Sequence, residues 1–311
     1  MHWKKLGLCF APNNLSDLMQ SYARIPILDQ GSGSRYPLYF GSRDATNRER
    51  VFKATLDMET LTVTDIDTQP VLDFGENLGA FDDNGVSPCC LVNVGERKLL
   101  YYCGWNIHVK IPFTCAIGLA ESTDGGKSFH KCFKGAVIDR DKNDHQFVAV
   151  NDVLYDNGLF RTWYLSCHEW ARGKEGRLIH HYTIHYAESE DGIDWKRFAQ
   201  PAIPFKNEYE YAISTPRVIK LGPCDYRMWY SYRAQPGIET YRIGYAESQD
   251  GVTWVRKDEA MADFTPSEDG FDSEMCCYPF LFHHNNRLYM LYNGNDYGRT
   301  GFGIAVLDGS L

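Results

Sequence analysis

Asp272-Ser273-Glu274-Met275-Cys276-Cys277-Tyr278-Pro279 and, just behind it, Arg287-Leu288-Tyr289-Met290-Leu291-Tyr292-Asn293-Gly294 read as two paired β-strands. Acids lead into the first strand, and the second ends in Asn-Gly, a strong short-range turn signal. The same pattern recurs four more times along the chain. Its recurrence predicts an all-β fold built from five copies of one unit.

Three turns mark the repeat most clearly: Ala120-Glu121-Ser122-Thr123-Asp124-Gly125-Gly126-Lys127-Ser128-Phe129, Ala187-Glu188-Ser189-Glu190-Asp191-Gly192-Ile193-Asp194-Trp195 and Ala246-Glu247-Ser248-Gln249-Asp250-Gly251-Val252-Thr253-Trp254. Each carries Asp-Gly, where Asp can bond the turn's own backbone and Gly accepts positive φ. The following Phe or Trp is expected to pack under the turn. The serines lie 67 residues apart (189 − 122) and then 59 apart (248 − 189).

Ahead of each turn runs a strand rich in Tyr and Trp: Leu99-Leu100-Tyr101-Tyr102, Thr162-Trp163-Tyr164-Leu165 and Arg227-Met228-Trp229-Tyr230. A further strand precedes each of these, often opened by proline. Pro26, Pro88 and Pro216 each stand 14 residues before an aromatic (Phe40, Tyr102, Tyr230), and Pro279 stands 13 before Tyr292. Val150 holds the matching place before Tyr164. Proline is tolerated at the start of a strand, so the series marks one corner five times.

Five units follow, over about 14–75, 79–138, 142–203, 207–262 and 270–308. The last lacks a fourth strand, which Trp3–Phe10 can supply. The expectation is a single domain over residues 1–311. It would be a five-bladed β-propeller of four-stranded antiparallel blades, closed by the N-terminal strand.

Composition narrows the function. The net charge is −9 with no basic run, which excludes a nucleic-acid surface. No stretch of 18 apolar residues spans a membrane, and the N-terminus shows no signal peptide, so a cytoplasmic location is expected. The ten cysteines include no Cys-x-x-Cys, and the adjacent pairs Cys89-Cys90 and Cys276-Cys277 point to opposite faces. They read as buried free thiols.

In such a ring the starts of the first strands and the loops after the second strands meet on one face. Three acids reach comparable depth there: Glu274 and Asp83, each five residues before a proline, and Glu210, six before Pro216. They are the candidate catalytic carboxylates, because cleaving an acetal takes one carboxyl group as acid and another as base or nucleophile. His145 holds the same rank in the third unit. Arg43, Asp44, Trp105, His108, His168, Glu169, Arg233, Gln235 and Asn295 are the candidate binding residues, since planar donors, acceptors and rings suit hydroxyl-rich ligands. Each has a plainer reading. The acids could cap turns, Arg43-Asp44 could be an ion pair stiffening a loop, and Trp105 and Trp170 could be core. Neither acid nor Cys falls at zinc-ligand spacing from His180, His181 and His185. No cofactor is expected; an oxygen-rich hub would suit a calcium ion, but no spacing demands one.

With the turns at 187–195 and 246–254 and the Tyr-rich strands in view, the chain resembles the five-bladed propeller glycoside hydrolases. These comprise the arabinanase and xylosidase, invertase and levansucrase, and mannoside phosphorylase groups. The resemblance spans nearly the whole chain and implies action on glycosidic bonds by carboxylates at the propeller axis. Those families commonly place an acid directly before the proline. Here Ile25, Ser87, Ala149, Thr215 and Tyr278 stand at that place. Ser122–Phe129 also resembles the structural turn of sialidases. The expected function is a carbohydrate-active enzyme that cleaves or transfers a glycosyl group. The alternatives are a glycosyltransferase or phosphorylase using a phosphorylated or nucleotide-activated sugar, and a non-catalytic sugar-binding propeller. The expected partner is a small carbohydrate.

Overall fold

A computed structural model of the chain describes residues 1–173, 176–233, 240–309 and 311. It is all-β, and its strands fall into antiparallel groups that follow the sequence repeat. Strand β1 (His2–Phe10) comes first. The first group is β2 (Ser21–Leu28), β3 (Arg35–Arg43), β4 (Glu49–Asp57) and a short β5 (Thr62–Thr64). The second is β6 (Gly85–Val94), β7 (Arg97–Ile107), β8 (Phe113–Ser122) and β9 (His130–Lys131). The third is β10 (Phe147–Asp156), β11 (Leu159–Arg172), β12 (Leu178–Ser189) and β13 (Lys196–Arg197). The fourth is β14 (Ala212–Gly222), β15 (Asp225–Arg233), β16 (Arg242–Ser248) and β17 (Val255–Arg256). Finally β18 (Cys277–His284), β19 (Arg287–Asn293) and β20 (Phe302–Asp308) form a sheet with β1, in the order β1-β20-β19-β18. The N-terminal segment thus pairs antiparallel with β20, from His2 opposite Asp308 to Phe10 opposite Phe302.

Apolar side chains fill the space between consecutive groups. Trp163, Ile184 and Tyr186 of the third pack with Ile213, Met228 and Tyr230 of the fourth. Trp229, Ile243 and Tyr245 of the fourth pack with Met290, Tyr292 and Trp3. Leu38, Phe40 and Phe52 of the first pack with Phe10, Leu291, Phe302 and Ile304. The last sheet therefore has both the fourth and the first group as neighbours.

The Asp-Gly turns act as stitches between groups. In each, the Ser hydroxyl and the Asp carboxylate bond the turn, as Ser189 and Asp191 do with the N–H groups of Gly192, Ile193 and Asp194. The turn glycine then offers its carbonyl to an aromatic residue of the preceding group. Tyr39 Oη donates to Gly126, Tyr101 Oη to Gly192 and Trp163 Nε1 to Gly251. Gly192 has φ +75°, and a Cβ there would come within 2.5 Å of Tyr101 Oη, so this turn needs glycine on two counts. Trp229 holds the matching place in the fourth group, and Trp3 of β1 packs edge-on against it at 6.4 Å.

The proline corner is a β-bulge. Pairing slips between Arg24 and Ile27, Pro88 and Cys90, Ala149 and Asn151, Ser214 and Arg217, and Cys277 and Phe280. Ile25, Val150, Thr215 and Tyr278 have positive φ there, although three of them are β-branched. Such residues seldom adopt that conformation, so the backbone at the corner is strained. A bulge re-aims the side chain it carries.

Some expectations need correction. The acids ahead of the first strands lie in turns, because those strands begin only at Ser21, Gly85, Phe147, Ala212 and Cys277. Trp105 and Trp170 lie within β7 and β11. All ten cysteines are free, with Cys224 exposed and most of the others buried. No described helix is long and apolar enough to cross a membrane.

Candidate functional site

Residues at or beside the bulged corner of all five groups line one cavity of about 490 Å3: Ile25, Ser87, Ala149 with Val150, Thr215 and Tyr278. Rings from Trp105, Phe113, Phe147, Tyr182, Tyr241 and Tyr297 complete much of the wall. The charged side chains on it are Arg24, Arg43 and Arg233, and His180 adds an imidazole. Among the described residues no carboxylate lines the wall.

Beneath it lies Glu49, the first residue of β4, fully buried. Its carboxylate accepts from Arg24 Nη1 at 2.7 Å, Arg43 Nε at 3.0 Å and Ser87 Oγ at 2.5 Å. Burial alone would push this carboxyl up; the two guanidiniums and the Ser87 hydroxyl outweigh it and hold it below the usual carboxylate range. Arg43 is further held between the rings of Tyr22 at 4.4 Å and Trp105 at 5.4 Å. Across the cavity Arg233, the last residue of β15, lies against Tyr241 at 4.2 Å, Tyr297 at 5.4 Å and Tyr211 at 5.9 Å, and donates to Tyr297 Oη. Tyr182 and Tyr241 share a hydroxyl–hydroxyl bond.

Of the described candidate catalytic and binding residues, Arg43, Trp105 and Arg233 line this cavity, and the other candidates do not. The Glu274 side chain is exposed, while its backbone N–H donates to Asn295 Oδ1. Asn295 is a clamp that also takes the Met275 N–H and donates to Ser273. Asp83 accepts the Gly79 N–H at 2.7 Å within its own loop. Glu210 is buried against Arg256, whose two terminal nitrogens reach it at 2.6 and 2.8 Å. Asp44 pairs with Arg50 and caps Thr46 and Arg48 rather than pairing with Arg43, and these bonds hold its carboxyl near 2 against the opposing effect of burial. His145 is exposed, His108 bonds Thr114 and Asn106, His168 bonds Thr183, and Glu169 faces His181 at 3.9 Å. Gln235 lies outside the described residues. Among the described residues no three His, Cys, Asp or Glu side chains converge as metal ligands.

A different set of acids does recur at one place. Asp82 accepts from Tyr102 Oη and Lys131, Asp144 from Tyr164 Oη and Arg197, and Asp272 from Tyr292 Oη and Lys5. Each ties the turn before a first strand to the second strand and to the outermost strand of its own group. Sequence reasoning passed over these, and also Arg24, Glu49, Tyr182 and Tyr241. Its premise was that first-strand starts and second-to-third loops meet at the hub. Residues at or near the starts of third strands reach the cavity or its floor too: Glu49, the first of β4, pairs with Gly85, and Tyr182, the fifth of β12, pairs with Ala212 in parallel contacts between groups.

Two half-buried histidines are expected to give the molecule an acid limit. Burial, reinforced by His185, lowers His168 to about 4, and burial with the Arg233 charge lowers His180 to about 3. Both are neutral in the folded protein at pH 7, whereas in the unfolded chain they take up protons below about pH 6.5. The unfolded state then binds more protons, so stability falls as pH drops. Tm is expected to be level above pH 7 and to fall by several degrees between pH 6.5 and 5. His180→Gln should flatten part of that slope in a thermal melt series.

No protein-family model matches the chain. Solved structures share its fold over nearly the whole length. A structure described as a glycoside hydrolase superposes with a TM-score of 0.74 at 18% identity, covering 99% of this chain and 92% of that one. A structure described under the GH130 family of mannoside phosphorylases, containing glycoside hydrolases that target β-1,2 mannosidic linkages in Candida mannan, gives 0.71 at 13%, covering 99% and 94%. A thermostable family-43 glycoside hydrolase gives 0.62 at 16%, covering 97% and 94%. The fold is thus that of propeller-type glycoside hydrolases. In sequence, 1,2-β-oligomannan phosphorylase of Thermoanaerobacter sp. (strain X514) is 30% identical over 129 residues, 40% of this chain and 42% of that protein. Uncharacterized protein Rv1502 of Mycobacterium tuberculosis H37Rv is 37% identical over 99% of this chain and 100% of its own length, and it is to the family of that protein that the chain belongs.

Proposed function

We propose that the five strand groups are blades of a propeller whose last blade β1 completes, and that a glycosyl group is bound and transferred in the cavity at its hub. The observation that carries this reading is the convergence of five corner residues, one from each group at or beside its bulge, on a single cavity walled by rings and guanidiniums. Rings stack on the apolar faces of sugars, and guanidiniums fix oxygen acceptors in a plane. The likeness in fold to glycoside hydrolases supports it by analogy.

Hydrolysis of an acetal by the enzyme's own groups needs two carboxyls. Among the described residues none lines the wall, and Glu49 is engaged by two guanidiniums. This favours a substrate whose leaving group departs as a stable anion, a phosphorylated or nucleotide-activated sugar. The anomeric C–O bond breaks with its electron pair on the phosphate oxygen. The acceptor hydroxyl bonds the anomeric carbon and gives its proton to the departing phosphate. A cytoplasmic location, where activated sugars are made, belongs to this reading.

Glu274 and Asp83 stay as the acid–base pair of the competing hydrolytic reading, with Glu210 as its third carboxylate. The test is product formation from a panel of sugar phosphates and nucleotide sugars with sugar acceptors, alongside simple glycosides. Transfer is expected from the activated donors, with Trp105→Ala losing most of it and Glu274→Gln and Asp83→Asn keeping theirs. Cleavage of simple glycosides that both carboxylate variants abolish would establish hydrolysis instead. Binding without any product would leave a sugar-binding protein, a reading that the absence of a carboxylate among the described wall residues also favours.

A further inference from the structure

The cavity wall holds more positive charge and more free donors than the described residues satisfy. Arg24 and Arg43 share one carboxylate, that of Glu49, and this cluster carries a net single positive charge. Arg233 has no carboxylate partner among the described residues and adds a second. His180 is neutral near pH 7, its pKa lowered to about 3 by burial and then by the Arg233 charge. Arg233 is 8% exposed, and its Nε has no hydrogen-bond partner. Arg24 Nε and Trp105 Nε1 are likewise buried without an acceptor. All three residues line the same cavity. Leaving a buried donor unpaired costs about 1–3 kcal/mol; such donors on two arginines of one wall, beside charge that the described residues do not compensate, point to an acceptor from outside the chain.

We propose that Arg24, Arg43 and Arg233, with Trp105, form an oxyanion subsite that takes a phosphate group. It rests on the reading of the cavity as a glycosyl site and adds the chemical class of what the glycosyl group carries. Charge selects among oxyanions. A net charge of two balances a phosphate monoester dianion, whereas a sugar carboxylate would neutralise half of it. The guanidinium fork offers the paired N–H geometry that phosphate oxygens accept. The three tyrosine rings fix the Arg233 plane before any ligand arrives, so little rotamer freedom is lost on binding. The remaining wall, with Phe113, Phe147, Tyr182, Tyr241 and Tyr278, is suited to the sugar rather than to the charge.

The experiment is calorimetric titration of the full chain at fixed ionic strength with hexose 1-phosphates, the same free hexoses, a hexuronic acid and inorganic phosphate. The phosphate ester is expected to bind at least about tenfold more tightly than either the free hexose or the uronate. Arg233→Met is expected to lose about 10- to 100-fold of that affinity. Arg233→Lys, which keeps the charge but not the fork, should fall between, and thermal melts of both variants confirm that each is folded. Inorganic phosphate competing for the same site would assign the subsite to a free co-substrate; absence of competition would assign it to a phosphate that the sugar carries. Either result upholds an oxyanion subsite. Equal affinity for the hexose and its phosphate, no binding of any phosphate probe at millimolar concentration, or unchanged affinity in a folded Arg233→Met protein overturns it. The glycosyl reading fails separately: tight, Arg233-dependent binding of the ester with no product from any acceptor sinks the transferase and leaves the subsite standing.

Discussion

Glu49→Ala is expected to cost about 3–5 kcal/mol of folding stability, the scale for removing one partner from a buried ion cluster. The glutamate is fully buried, and Arg24 and Arg43 converge on it with side chains only 17% and 16% exposed. Without it two guanidiniums face each other under the cavity floor and the Ser87 hydroxyl loses its acceptor. Glu49 also stands where the first group meets the second, opposite Gly85, where a Cβ would come within 3.0 Å of the Glu49 Cβ and closer still to the Trp105 ring. Glu49→Gln keeps the volume and one acceptor oxygen, so its cost should be smaller, about 2 kcal/mol. The sign of the pH dependence separates charge from shape. The folded carboxyl sits below its unfolded value, so its contribution is fully present above about pH 4.3 and fades as pH falls through the folded value. The gap between wild type and Glu49→Gln in urea denaturation should therefore narrow below about pH 4. A constant gap down to pH 3 would mean that packing, not charge, is what the glutamate contributes.

Asp144→Ala should be nearly as severe, about 3 kcal/mol. This carboxylate is 1% exposed and accepts from Tyr164 Oη at 2.8 Å, Ser166 Oγ at 2.5 Å and Arg197 Nη1 at 3.1 Å. Its loss strands two buried hydroxyls and leaves Arg197 with Asp141 at 3.4 Å. Asp141→Ala, removing the outer and more exposed of the two acids, is the control and should cost under about 1 kcal/mol. Asp82→Ala and Asp272→Ala remove the same tie from the second and last groups and should rank with Asp144→Ala. If all three were as mild as Asp141→Ala, the tie would be a consequence of the fold rather than a cause of it.

These two residues show how far the sequence could be read. The repeated strand units, the Asp-Gly turns and the shared proline corner follow from local rules, because turn chemistry and strand periodicity act over a few residues; the pairing of Trp3–Phe10 with the last strand follows instead from the fourth strand that the last unit lacks. The proline register even located the cavity wall, since the residues before it are the ones that line it. What failed was counting acids from that register. Asp82, Asp144 and Asp272 each stand 20 residues before the tyrosine they bond (102 − 82, 164 − 144, 292 − 272). Asp83 and Glu274, one and two places further on, looked equivalent. Alternation of faces holds only inside a strand, and these acids sit in turns before the strands begin, with a bulge still to come. Arg24 and Glu49 were hidden for another reason. They stand on the first and third strands of one group and meet across β3, and no turn or strand period announces a contact across an intervening strand.

The pairing of β1 with β20 has a consequence for how the molecule comes into being. His2 meets Asp308 across almost the entire sequence. A contact of such separation closes the longest loop available and so forms late. During synthesis the first four groups can assemble while Trp3–Phe10 waits without its partner. Until it docks, the Trp229 ring lacks its Trp3 neighbour and the outer edge of β20 stays open to other chains. The maturation of this protein is then expected to wait on the capture of Trp3–Phe10 by the much later strand β20.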